Sequence, residues 1–232
     1  MKKLAVIARY NEDISWTRDL DCDIFIYNKG TDWKWDDIPR LDIENYGRET
    51  ETYVRAIIEF YELLDDYDVM IFCQGNPFDH YDFPVQSINN CKPDSIQFLA
   101  NSVVTYTTSK LINFFNVNNF VISKLFNKEI IYDASFTNLN GEKVVDETRG
   151  HEVVSTVLFT HILGLKMYEN GILYPAGAQY VVPTSYLKLK KLEWWVQLYE
   201  LIQAWKFLVP DDDIGAYFER TWPLIWIHEP KD

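Results

Sequence analysis

Only three cysteines and nine glycines occur in the 232 residues, and each scarcity narrows the reading. Cys22, Cys73 and Cys91 are odd in number and form no Cys-x-x-Cys pair. That spacing argues against a disulfide framework or a thiolate zinc site, and reduced, structural thiols are expected. The glycines build neither Gly-x-Gly-x-x-Gly after the first apolar run nor Gly-x-x-x-x-Gly-Lys-Ser/Thr, so a Rossmann dinucleotide site and a P-loop are not expected. Without a Gly-x-Ser-x-Gly elbow or a Cys/His pairing, nothing recommends a Ser or Cys hydrolase. Long apolar runs are missing too. Met1-Lys2-Lys3 followed by Leu4–Ala8 mimics a secretion signal, but Arg9 stops the run short of the roughly 7–15 residues required. No run approaches the ~18 apolar residues of a membrane span, so a soluble, cytoplasmic protein is expected. Positive charge is scarce: 22 Lys and Arg face 35 Asp and Glu, a net charge of −13 that would repel a polyanion. Nucleic acid is therefore not an expected partner.

What the chain has in quantity is aromatic residues: 15 Tyr, 14 Phe and 8 Trp, a usage that suits core packing as well as stacking on sugars or bases. The length fits a single domain, residues 1–232. Leu4–Ala8, Ile24–Tyr27 and Asp68–Cys73 read as short buried strands, each ending in polar residues, and a helix from about Thr50 to Leu64 carries apolar residues at helical spacing. This alternation predicts an α/β fold, with a mostly parallel or mixed central sheet flanked by helices. Further along, Asp94–Ala100 reads as a short helix, Ile130–Asp133 as a short strand, Asn138–Gly141 as a turn and His151–Leu165 as a helix. Ile172–Val182 reads as a strand interrupted at Pro175–Ala178. Leu192–Phe207 reads as a helix with Trp194, Leu198, Leu201, Ile202 and Trp205 on one face. Asp211–Asp213 would cap a last helix that Pro223 bends or ends.

The stretch Gln74-Gly75-Asn76-Pro77-Phe78-Asp79-His80-Tyr81-Asp82 stands out, because turn formers and three potential metal ligands follow directly on a buried strand. In open α/β sheets ligands gather outside the carboxyl ends of the strands. Asp79, His80 and Asp82 are the candidate ligands for a divalent cation, Mn²⁺ or Mg²⁺; a plain polar turn is the other reading. Arg9-Tyr10-Asn11-Glu12 after the first strand is either a binding loop or a turn. Asn28-Lys29-Gly30 and Asn45-Tyr46-Gly47-Arg48-Glu49 likewise read as site segments, or as a turn and a helix cap. Gln179, a polar amide inside an apolar run beside Gly177, suggests room for a second substrate. Glu219-Arg220 and Trp222 read as a clamp of the last helix onto the core. His151, His161 and His228 lack ligand spacing.

Taken together, Val6–Asp13 with Trp16, Ile26–Gly30, Asn45–Glu49 with Thr52-Tyr53, Phe72–Pro77 with His80, Ala176–Val182, and Glu219-Arg220 with Trp222-Pro223 resemble the family known as domain of unknown function 3431 (DUF3431). A wider resemblance, carried by Val6-Ile7-Ala8-Arg9-Tyr10-Asn11-Glu12 and by the order strand, Asn45-x-Gly47, helix, strand, is to GT-A type glycosyltransferases. That resemblance implies a GT-A-like fold, a nucleotide-sugar donor and a carbohydrate or glycan acceptor. It departs at the strand end, where Gln74-Gly75-Asn76 stands in place of the metal-binding Asp-x-Asp.

The resemblance implies that residues 1–110 form the donor half and residues 111–232 the acceptor half with the C-terminal helices. Arg9, Tyr10, Asn11, Glu12, Asn28, Lys29, Asn45, Gly47, Arg48, Gln74 and Gly75 would hold the nucleotide sugar, with metal at Asp79, His80 and Asp82 and acceptor at Gly177 and Gln179. Glu49, Asp79, Asp82 and Glu193 are all candidates for the catalytic carboxylate. The expected function is sugar transfer from a nucleotide-sugar donor. The alternatives are a non-catalytic nucleotide- or carbohydrate-binding protein on the same fold, and a metal-dependent hydrolase.

Overall fold

In a computed structural model of the chain, residues 1–106, 135–137, 143–145, 163, 172–206 and 211–230 are described. Four strands run parallel: β1 (Lys3–Arg9), β2 (Asp23–Asn28), β3 (Arg40–Asp42) and β4 (Val69–Gln74). Between β3 and β4 lies helix α1 (Arg48–Glu59), followed by a 3-10 turn at Tyr61–Asp66. After β4 come a 3-10 turn at Pro77–Asp79, helix α2 (Pro84–Asn89) and two short strands, β5 (Gln97–Phe98) and β6 (Val103–Tyr106). Strands β7 (Ser135–Thr137), β8 (Lys143–Val145), β9 (Ile172–Pro175) and β10 (Tyr180–Pro183) precede helices α3 (Thr184–Leu187), α4 (Leu192–Trp205) and α5 (Asp211–Ile227). The main sheet has the order β3-β2-β1-β4-β10-β5, with β10 antiparallel to β4 and to β5; a second, antiparallel sheet has the order β8-β7-β6-β9.

The apolar runs of β1 and β4 are continuous because the sheet is covered on both faces. Successive side chains point to opposite sides. Leu4, Val6, Met70 and Phe72 pack with α1, α4 and α5, whereas Ala5, Ile7, Ile71 and Cys73 pack with Ile14, Trp16 and Ile88 on the other side. Most of the aromatic surplus sits in the first layer. Trp222 and Trp226 stack at 4.4 Å between ring centres, and Phe72 stacks on Trp226 at 5.3 Å.

Several expectations shift. Asp94–Ala100 is no helix: Gln97–Phe98 pairs with Val181 and Tyr180, and this pairing at the sheet edge, which local sequence does not reveal, holds the segment extended. The 172–182 run is indeed two strands, and they belong to different sheets. On α4, Trp195 rather than Trp194 is buried beside Leu198, Ile202 and Trp205. Pro223 lies inside α5, which continues to Ile227. The readings of Ile130–Asp133, Asn138–Gly141 and, apart from Leu163, His151–Leu165 fall outside the described residues. Cys22, Cys73 and Cys91 are all free, and burial pushes the Cys22 thiol up to about 12, so all three are structural. Among the described residues no helix is long and apolar enough to cross a membrane.

Candidate functional site

The chain leaves β1 toward β2 on one side, while β4 pairs on its other side, so the strand order reverses at β1. A crevice opens at such a switch point, at the carboxyl edge. Backbone bonds hold its floor: Gly75 N–H donates to Ala8 O at 2.8 Å, and Lys29 N–H to Arg9 O at 2.8 Å. Above it lies a cleft of about 460 Å³ lined by Ala8, Arg9, Tyr10, Glu12, Lys29, Asn45, Arg48, Glu49, Gln74 and His80. Its size is that of a small-molecule site, and its lining is mostly polar.

Not every expected ligand group faces a ligand. All five Arg9 N–H groups go to protein acceptors: Nε to Glu12 O (2.9 Å), Nη1 to Tyr10 O (3.2 Å) and Asn28 Oδ1 (2.6 Å), and Nη2 to Asp32 Oδ1 (2.6 Å) and Asp32 O (3.4 Å). The guanidinium is buried, lies near the Trp33 and Trp35 rings, and holds the Asp32 carboxyl below its usual range. Arg9 is thus the keystone of the loops after β1 and β2 rather than a phosphate ligand. Asn28 works with it, donating from Nδ2 to Gly30 O and Asp42 Oδ1, and Asn11 Oδ1 accepts from Thr31 N–H. Lys29 is buried as well. Its ammonium donates to the Tyr46 and Arg48 carbonyls and pairs with Glu51 at 3.5 Å. Those carbonyls flank Gly47 (φ 65°) and Arg48 (φ 48°), two successive left-handed residues that start α1. Lys29 therefore fixes this costly turn.

The remaining lining residues are better placed to meet a ligand. Tyr10 is 51% exposed, and Arg48 is exposed with its stem lying over Gly215 of α5. Glu12 accepts the Tyr10 N–H at 2.6 Å and leans over Gly75, where a Cβ would come within 2.5 Å of the carboxylate. Gly75 itself is pinned by Trp16, whose indole N–H donates to its carbonyl at 2.9 Å.

Asp79, His80 and Asp82 separate. His80 lines the cleft; Asp79 is exposed on its 3-10 turn; Asp82 accepts from Asn101 Nδ2 at 3.0 Å. Among the described residues no group of three or more His, Cys, Asp or Glu side chains gathers to hold a metal ion. The three residues thus do not fit as one ligand set. Gln179 is fully buried and donates to Pro77 O at 3.2 Å, so it props the β4 loop from behind. Glu193 is exposed in the first turn of α4, outside the cleft lining.

Two carboxylates on α1 and α5 influence one another. Glu49 is half-buried in the cleft lining. Burial, together with the Glu219 carboxylate, pushes it up to about 7 against the pull of its own backbone N–H, Arg48 and Lys29. Glu219, on α5, accepts the Gly177 N–H at 2.8 Å. Gly177 (φ 91°) carries the His80 ring directly against it, where a Cβ would lie 2.4 Å from the imidazole. Glu219 was missed as a site residue. Arg220 beside it is buried and donates to Ala216 O in its own helix, whereas Glu219 reaches the Gly177 N–H.

No curated protein and no solved structure matches the chain. A family described as protein of unknown function (DUF3431) matches residues 4–232, nearly the whole length and every element of the cleft. The chain therefore belongs to the DUF3431 family.

Proposed function

We propose that the protein is a nucleotide-sugar-dependent glycosyltransferase whose donor lies in the cleft between the ends of β1 and β4. The observation that carries this reading is the cleft itself: about 460 Å³, mostly polar in lining, at the switch point of a largely parallel sheet. Tyr10 offers an exposed ring for a base or sugar, and Arg48, the lining cation exposed to solvent, would face the diphosphate. The GT-A-like reading of the fold rests on the same edge and on the segments that resemble those enzymes. A carbohydrate or glycan that presents a hydroxyl is the acceptor class proposed with it.

Mn²⁺ or Mg²⁺ belongs to the proposal only in one form. Mg²⁺ is commonly held by one or two carboxylates plus substrate phosphates, so it would arrive with the donor rather than in a protein-built cage. No step is assigned to it. The hydrolase alternative lacks its ligand set among the described residues. A non-catalytic binding protein is favoured by one observation, the engagement of Arg9 and Lys29 within the fold. Turnover separates it from the transferase.

Thermal-shift measurements against nucleoside diphosphates and nucleotide sugars, with and without Mn²⁺, test the donor site. A ligand at 100 times its Kd adds about 2.7 kcal/mol of stability, a rise of roughly 5–10 °C for a domain of this size. Arg48→Ala should abolish most of the rise. If no nucleotide moves the transition in either condition, the donor reading fails.

A further inference from the structure

Besides Glu49, the cleft-lining Glu12 and the expected candidates Asp79, Asp82 and Glu193 are each in a poor position to handle a substrate proton. Glu12 is bound to the Tyr10 N–H, Asp82 to Asn101, Asp79 faces solvent and Glu193 lies outside the cleft lining. Glu49 differs. It opens onto the cleft from the first turn of α1, directly after the turn that Lys29 holds, so its backbone is fixed. Glu219 acts on it through its charge and is fixed by the Gly177 N–H, and the ring of the cleft-lining His80 lies against that same Gly177. Four distant stretches of the chain converge here.

We propose that Glu49 is the base that takes the proton of the acceptor hydroxyl in this cleft, and that Glu219, tied to Gly177, is its positioning residue. The inference rests on the donor-site reading and deepens it. The hydroxyl proton passes to Glu49 and the acceptor oxygen forms a bond to the anomeric carbon. The bond from that carbon to the diphosphate breaks, its electron pair leaving with the diphosphate. A single displacement of this kind inverts the anomeric carbon. The groups facing Glu49 are Arg48 on its own helix, Lys29 from the end of β2 and Glu219 from α5. The phenols of Tyr53 and Tyr180 feel its charge and stay protonated far above neutrality. Held at about 7 rather than in the ordinary carboxylate range, Glu49 is a base matched to neutral pH.

The test has two arms. In the first, protein labelled with ¹³C at the Glu carboxyls is titrated by NMR from acid to alkaline pH. One signal should titrate near neutrality, vanish in Glu49→Gln and move toward ordinary values in Glu219→Gln, which keeps an acceptor for Gly177 N–H. A Glu49 signal in the ordinary range, or one that Glu219→Gln leaves unmoved, would overturn the pairing. In the second arm, UDP-glucose, UDP-galactose and GDP-mannose are assayed for release of nucleoside diphosphate. Glu49→Gln should lower turnover by roughly 10²–10⁴-fold. Donor affinity should stay within a few-fold, and Glu219→Gln should move the acid limb of the rate profile to lower pH. Turnover by Glu49→Gln within tenfold of the parent, or a retained anomeric configuration, overturns the base. Coupled titration in a protein that binds none of these donors would instead overturn the donor reading, and the base role with it.

Discussion

Glu49 shows at the scale of one residue how a site sets itself against the fold that carries it. In an unfolded chain its carboxyl loses its proton near the ordinary 4.5; in the folded protein it holds it to about 7. Between those values the folded state binds more protons than the unfolded one, so this group's contribution to stability falls as pH rises from 4.5 to 7 and stays low above. Glu49→Gln removes the charge and its cost. The variant should be more stable than the parent at pH 8, on the order of 1–3 kcal/mol after allowing for screening at the cleft mouth, with the gain vanishing toward pH 4. Urea melts at both pH values would show it. A variant equally stable or weaker at pH 8 would mean that the carboxylate is better solvated than its surroundings indicate. Arg9 has the opposite character, a buried cation whose five donors are all engaged by the loops it organises.

At the scale of elements, α5 closes the molecule, and its end is held by Lys190. This side chain is fully buried, donates to the Trp226 carbonyl at 3.2 Å and lies 5.4–5.7 Å from the Trp195 and Trp194 ring centres. A cation at a helix C-terminus is favourable, but burial outweighs the pull of Glu229 and lowers the amine to about 7. Between 7 and 10.5 the unfolded chain binds more protons than the folded one, so this group's contribution to stability rises with pH through that range. Lys190→Met should lose this slope: the stability of the parent relative to the variant should climb between pH 7 and 10. A flat difference would contradict the assignment. The elements themselves were legible where physics is local. Val69–Gln74 and Lys3–Arg9 show as apolar runs because both faces are covered, and α1 shows by its spacing. Gln97–Phe98 did not, because two residues carry no period and only pairing with β10 makes them a strand. On α4 the choice of Trp195 over Trp194 depends on which face meets α5, which no spacing within the helix decides.

At the scale of the whole molecule, the site is a property of topology. Residues from Ala8 to His80 meet because β1 and β4 lie side by side with their carboxyl ends together. Polar residues after an apolar run or at a helix start singled out Tyr10, Glu12, Asn45, Arg48, Gln74 and His80, which the fold brings to one cleft. Sequence could not tell an exposed cation in the cleft lining from one that faces carbonyls, so Arg9 and Lys29 read alike with Arg48. It marked Glu219 only as part of a clamp, since the contact with Gly177 spans 42 positions. Both the transferase activity and the base role of Glu49 require this edge to bind a nucleoside diphosphate. Amide NMR spectra recorded with and without UDP and GDP, the diphosphates of the assayed donors, test it most directly. Signals of Tyr10–Glu12, Lys29, Asn45–Glu49, Gln74 and His80 should shift together, while those of Lys3, Asp23 and Val69 at the opposite edge stay in place. Unchanged spectra, or shifts gathered at a second concavity around Cys22, Phe25 and Tyr67, would contradict it.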